Sequence, residues 1–306
     1  MAETTYPPIV KRVNITAVDG RRRFESRMDF SPLSGNPPHV KHELVVRVFL
    51  SPFRVEHVET PEHGEQPNYK DGIIPGHFKE HEIHYILGLL EEYHKDSNNN
   101  RLQKWPDSKW IQFRSILKLK VEQIWNVLWA RPSEGMENVW MRYLAATKGY
   151  KSSVVPSLKL DLNLKLVNLP SEADVRILCL NTTTRFRSRM SLSWVQGGSF
   201  GILDWYDIYT YEYEGNIINC DAAHEFGHYL GFSHVAANIE GNPYPAIGAK
   251  PGDTEEYGIT EHQRGNVMGM GTRVEPWNAA PWLRHIQRHF SGPEKPKFVA
   301  YVQNHH

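Results

Sequence analysis

The stretch HEFGHYLGFSH, His224 to His234, decides how this chain is read. His224 and His228 are four residues apart, so on a helix they lie one above the other, with Cβ atoms about 5–6 Å apart. Imidazoles so placed reach one zinc ion at roughly 2.0–2.1 Å. A straight helix would carry His234 more than a turn beyond them. Gly231 adopts positive φ readily, so it ends the helix and turns the chain, and that turn can return His234 to the same ion. Gly227 inside the helix costs about 1 kcal/mol relative to alanine, which points to close packing against a neighbour. Three neutral imidazoles leave zinc one position for water, the open arrangement of a catalytic site. Glu225, beside one ligand and not needed as another, is placed to take the proton of that water. A helix of merely solvated histidines does not account for the glycine.

The rest of the composition narrows the partners. At 306 residues the chain can bury a sizeable core, as one large domain or two small ones. Hydrophobic residues are 40% and charged residues 23%, the range of a soluble globular protein. Lys+Arg and Asp+Glu both number 35, so the net charge is zero and neither nucleic acid nor an anionic membrane is indicated as a partner. No stretch approaches about 18 apolar residues, so no membrane span is expected. Cys179 and Cys220 stand outside any CxxC spacing; two buried free thiols are preferred, with one disulfide between them the alternative. The opening "MAETTYPPIVKRVN" has an early acidic residue, two prolines and no apolar core of signal-peptide length. The expectation is a chain cytoplasmic as synthesised, any export using a non-classical or specialised secretion system.

Along the chain, "IVKRVNITAV" and "HELVVRVFL" read as strands of a β-rich N-terminal segment, residues 1–75, with no assigned role. The loop-like run from 60 to 76 marks its boundary with a catalytic domain over 76–306. "KEHEIHYILGLLEEYHKD" places Ile83, Ile86, Leu87 and Leu90 on one helical face. "DSKWIQFRSILKLKVEQIWNVLWARP" carries Trp110, Phe113, Leu117, Val121, Ile124 and Leu128 at helical spacing and reads as one helix up to Pro132. A shorter helix, "ENVWMRYLAATKG", closes at Gly149. Strict alternation of Leu158, Leu160, Leu162, Leu164 and Leu166 predicts a strand, and "DVRILCLN" a more buried one. "WNAAPWLRHIQRHF" closes the chain as a helix.

The run HExxHxxGxxH resembles the metzincin clan of zinc endopeptidases, which includes astacins, adamalysins, serralysins and matrix metalloproteinases. The resemblance implies that His224, His228 and His234 bind one catalytic Zn2+ and that Glu225 is the general base. It also implies a methionine in a tight turn beneath the metal. "GNVMGMG" matches best with Met268 after Asn266-Val267, and Met270 is the competing choice. The sharp match spans residues 221 to 271. The implied fold is α+β: a two-lobed catalytic domain with a twisted mixed sheet, a zinc-binding helix and a C-terminal helix, preceded by the β-rich segment.

There are departures. Several metzincins carry a tyrosine two residues after the Met-turn methionine, where this chain has Met270. Tyr257 or Tyr244 could supply the phenolic transition-state donor instead. The "GDTEEYG" run also resembles acidic-Tyr runs in bacterial secreted metallopeptidase toxins that share HEFGH. In that group a carboxylate can be the third ligand, so Glu255 or Glu256 competes with His234. His234 is preferred because its glycine turn is intact.

The implied activity is cleavage of internal bonds in a peptide or protein substrate, held extended along a sheet edge. The expected edge is "WVQGGSFGI", where Gly197 and Gly198 permit close backbone approach. Two alternatives stay open: a zinc amidase acting on a non-peptide or cell-wall amide, and a zinc-stabilised non-catalytic binding module. The toxin resemblance adds the hypothesis of a delivered effector, with an inhibitor or immunity partner left open.

Overall fold

A β-hairpin opens the fold: β1 (Ile9–Ala17) pairs antiparallel with β2 (Gly20–Asp29). The structure is a computed structural model that describes residues 9–17, 20–55, 72–73, 76–95, 102–186, 189–192, 199–213, 217–236, 254–290 and 294–303. Next come β3 (His39–Pro52), the short pair β4 (Arg54–Val55) and β5 (Gly72–Ile73), and two helices, α1 (Glu80–Lys95) and α2 (Asp107–Trp125). The middle of the chain supplies β6 (Leu128–Pro132), α3 (Glu137–Lys148), β7 (Ser157–Val167), β8 (Val175–Leu180), β9 (Arg189–Leu192) and β10 (Ser199–Asp204). A small ribbon of β11 (Tyr211–Tyr213) and β12 (Ile217–Asn219) leads into α4 (Asp221–Leu230). The chain ends with α5 (Glu261–Arg264), α6 (Ala280–Ile286) and β13 (Phe298–Val302).

Among the described residues, nine strands form one mixed sheet, with the main order β13-β6-β7-β3-β8-β10-β9 and the hairpin joined through β2. With six α-helices this is a mixed helix-and-sheet architecture, in keeping with the α+β expectation. Strand β3 is its centre. From His39 to Phe49 it pairs in parallel with β7, in the register His39–Ser157 to Phe49–Val167. Its other edge is shared, first by β2 (Glu25–Val45 to Asp29–Lys41) and then by β8 (Val48–Val175 to Pro52–Cys179). Where the two partners change over, Asp174 fills the gap. Its carboxylate accepts from the Arg47 backbone N–H at 3.0 Å and from the Arg47 guanidinium at 2.6 and 3.1 Å.

The sheet is covered on both faces, as the alternation of β8 shows. Ile177 and Cys179 enter the larger core, while Leu178 and Leu180 point to the opposite face. On that opposite face α1 packs Ile86, Leu89 and Leu90 against Phe200 and Ile202. Leu87, expected on the buried stripe, is 39% exposed, because the stripe centres on Ile86 and Leu90. On the main face α2 presents Phe113, Leu117, Val121 and Trp125 at four-residue intervals, all fully buried.

Two elements differ from the sequence reading. Residues 128–132, expected as the end of a long helix, form β6. The physical cause is Asn126. Its side-chain amide donates to the Leu162 carbonyl at 3.1 Å and its Oδ1 accepts from the Leu162 N–H at 2.6 Å. The chain thereby leaves the helix on the backbone of β7, and Leu128 and Ala130 pair with Leu160 and Leu158. The C-terminal helix is present as α6, but β13 follows it and pairs antiparallel with β6. Strict alternation in β7 does bury Leu158, Leu160, Leu162 and Leu164.

On the main face, α6 closes over a group of buried histidines. Ser26 Oγ lies 2.9 Å from His42 Nε2 and 2.6 Å from His289 Nε2, and the His285 ring packs edge-on against Phe24. Burial pushes His285 down to about 3, helped by the positive charges of Arg288 and Arg284 and by His289. Burial also holds His42 well below the usual histidine range, with His289 and His285 adding to the effect. An unfolded histidine titrates near about 6.5, so below that pH the unfolded chain takes up protons that the folded one refuses. Stability from these groups is therefore present above about pH 6.5 and lost as the pH falls towards about 3. The urea midpoint is expected to drop between about pH 7 and about pH 5, and His285→Phe to flatten that drop. A midpoint unchanged across this window contradicts the account.

Candidate metal centre

Helix α4 is gripped before its histidines begin. Asp221 in its first turn favours the helix dipole and accepts from Arg185 Nε at 3.1 Å, the Tyr211 hydroxyl at 3.1 Å and Asn219 Nδ2 at 2.8 Å. The Arg185 guanidinium also lies 3.3 Å from the centroid of the Tyr211 ring. In the same turn the Trp125 indole N–H of α2 donates to the Ala223 carbonyl at 3.0 Å. A Cβ placed on Gly227 would strike the Met268 sulfur and come within 3.0 Å of Trp125 Cζ2. The neighbour that the helix glycine admits is therefore Met268.

The helix ends as the sequence predicts. Gly231 takes φ 107°, its N–H donates to His228 O at 3.1 Å, and the Phe232 N–H donates to Gly227 O at 3.0 Å. That turn brings His234 back. The ring centroids of His224 and His228 are 4.8 Å apart, those of His224 and His234 5.2 Å, and those of His228 and His234 4.8 Å. One nitrogen from each lies within 4.8 Å of the others, so the three are close enough to bind one metal ion.

Each ring is turned inward by a partner on its outer nitrogen. His224 Nδ1 donates to Val267 O at 2.8 Å, His228 Nδ1 to Phe232 O at 2.9 Å, and His234 Nδ1 to Glu256 Oε2 at 3.0 Å. Carbonyls and carboxylates only accept, so each Nδ1 carries the donated proton and each Nε2 is the nitrogen turned towards the other rings. His228 Nε2 and His234 Nε2 are 3.1 Å apart. An ion at roughly 2.1 Å from each would span that gap. Burial, with the nearby His234, pushes the His224 imidazole down to about 3, which keeps it in the neutral form that ligates. The residues present fit a metal with nitrogen ligands.

The remaining expected residues fall as follows. Glu225 is buried in α4 at 8% exposure, one residue after His224. Met268 is fully buried in the turn beneath α4 and Met270 is half-buried. In that turn the Asn266 carbonyl accepts from Gly269 at 2.8 Å and Gly271 at 3.0 Å, and Asn266 Oδ1 accepts from the Met268 N–H at 2.8 Å. Tyr257 lies over His234, with centroids 4.2 Å apart, and 5.8 Å from His224. Glu256 stands behind His234 as a hydrogen-bond acceptor, and Glu255 is exposed. Tyr244, Gly197 and Gly198 lie outside the described residues.

The expected sheet edge is displaced. Ser199 to Ile202 pair on one side with β8 and on the other with β9, so they are interior. Among the described residues the outermost strand on this side is β9, antiparallel to β10 and in contact with α4. No helix among the described residues is long and apolar enough to cross a membrane. Comparison of the chain with protein-family models, curated proteins and solved structures finds no match.

Sequence reasoning did not find Trp125, the Val267 carbonyl or the Arg185–Tyr211–Asp221 clamp. These act through backbone groups or distant contacts that leave no spacing signal. Because Met268 fills the space beside Gly227, Gly227→Ala is expected to overpack the site and cost about 1–3 kcal/mol in urea unfolding. An unchanged unfolding curve contradicts this packing.

Proposed function

We propose that the chain is a zinc-dependent endopeptidase of metzincin type. The observation that carries this reading is the convergence of His224, His228 and His234, each with its outer nitrogen tied so that Nε2 faces the others. A structural zinc site is usually closed by four protein ligands, whereas this cluster offers three and keeps His228 and His234 partly open to solvent.

His224, His228 and His234 would hold the zinc ion, which when bound would supply Lewis acidity and a water of pKa lowered towards about 7. Glu225, fixed in α4 next to His224, accepts the proton of the attacking water and passes it to the leaving amine. Tyr257, packed over His234, donates its phenolic hydrogen to the substrate oxygen as charge develops there. An extended peptide is held by backbone hydrogen bonds along β9, the strand that touches α4. In this reading the sheet and α2 form one lobe, and the Met268 turn and α6 form the other.

The test is mass-spectrometric cleavage of a diverse peptide library by wild type and Glu225→Ala, each assayed for zinc. Wild type is expected to cleave internal bonds, and Glu225→Ala to retain zinc while losing about 10²–10⁴ in rate. A chelator should abolish cleavage and added zinc restore it. Equal cleavage by both proteins removes Glu225 from the chemistry. Full zinc in both with no cleavage by either overturns the endopeptidase reading.

A further inference from the structure

We propose that Glu256 is a positioning residue for the metal, acting through His234 to raise the affinity of the third ligand. The three histidines are not held alike. His224 and His228 donate from Nδ1 to neutral backbone carbonyls, of Val267 and Phe232. His234 donates to a carboxylate, Glu256 Oε2, at 3.0 Å. At His234 the acceptor of the Nδ1 proton is thus a carboxylate where the other two rings meet carbonyls. A carboxylate there strengthens the hydrogen bond, raises the electron density at the opposite ring nitrogen and fixes the ring plane.

The chain is arranged to deliver that carboxylate. His234 and Glu256 are 22 positions apart in sequence, yet the described residues that follow His234 and those around Glu256 meet at the site. The Ala236 N–H donates to the Glu256 carbonyl at 3.0 Å, and the Val235 N–H to the Met268 carbonyl at 3.2 Å. Glu256 and Tyr257 then approach His234 from two directions, the carboxylate at the ring edge and the phenol ring over the face. Just beyond, Gln263 Oε1 accepts from the Ile259 N–H at 3.0 Å and the Thr260 N–H at 3.2 Å, so the turn has its own support. Glu256 itself is buried at 8% exposure. Its acceptance from Nδ1 occupies it behind the ring, on the side away from the converging Nε2 atoms. A residue that the sequence offers as a rival of His234 thus acts as its support.

The proposal rests on the metal reading of the site but not on the endopeptidase reading. The experiment is zinc affinity, measured on the full chain by competition with a chromophoric chelator, for wild type, Glu256→Gln, Glu256→Asp and His234→Ala. Glutamine keeps the size and an acceptor oxygen and removes only the charge. The expected result is about 10–100-fold weaker zinc binding in Glu256→Gln, with the thermal melt of the metal-free protein unchanged. Glu256→Asp, which keeps the charge, should recover part of the loss. The zinc dissociation rate should rise in Glu256→Gln, which a role confined to holding the turn would not produce. Zinc binding by Glu256→Gln equal to wild type, or no tighter binding by Glu256→Asp than by Glu256→Gln, overturns the proposal. Wild type without zinc affinity overturns both the metal site and this proposal. Wild type that binds zinc and cleaves no peptide overturns only the endopeptidase reading.

Discussion

The site depends on one constraint: every ligand imidazole has a fixed acceptor for its Nδ1 proton. A free imidazole chooses between two tautomers and rotates about two torsions, so three of them seldom converge unaided. Here the acceptors come from three places in the chain. Phe232 O arrives through the Gly231 turn, Val267 O through the turn carrying Met268, and Glu256 from 22 positions beyond His234. Each bond removes both the tautomeric and the rotational freedom of one ring, and the Nε2 atoms are left facing one another. The cost of bringing the three rings together is met during folding.

That arrangement in turn needs α4 to sit tightly against the Met268 turn, because Val267 O reaches His224 only at close approach. Gly227 sets the distance, Trp125 supplies the wall behind it and a hydrogen bond to Ala223 O, and Asn266 shapes the turn from below. Trp125 is itself the last residue of α2, whose buried stripe rests on the leucines of β7. The line of support therefore runs from the sheet through α2 to the three histidines. Strand β3, from the N-terminal segment, lies in the middle of that sheet, between β7 on one edge and β2 and β8 on the other.

Much of this was legible in the residues because local chemistry and tertiary outcome agree. The His224–His228 interval, the Gly231 turn and the glycine that admits a neighbour are all properties of a single helix and its end. The alternating leucines of β7 are likewise local. What could not be read was decided by partners distant in sequence. Residues 128–132 carry helical spacing, yet Asn126 hands the chain to the backbone of Leu162 and pairing with β7 prevails. The glycines near residue 197 suggested an edge, but β9 lies outside β10 and takes that position. Glu256 was visible as an acidic residue near a tyrosine. That it lies behind His234 rather than beside it depends on how residues 235–236 bond to 256 and 268.

The central claim is that three imidazole nitrogens, and no carboxylate or thiolate of this chain, surround the ion. Zinc-edge X-ray absorption of the zinc-loaded protein tests it most directly. The account predicts a first shell of nitrogen and oxygen scatterers at about 2.0–2.1 Å, with outer-shell scattering from three imidazoles and one remaining position for solvent. A sulfur scatterer at about 2.3 Å, or the signature of only two imidazoles with a protein carboxylate, would contradict it.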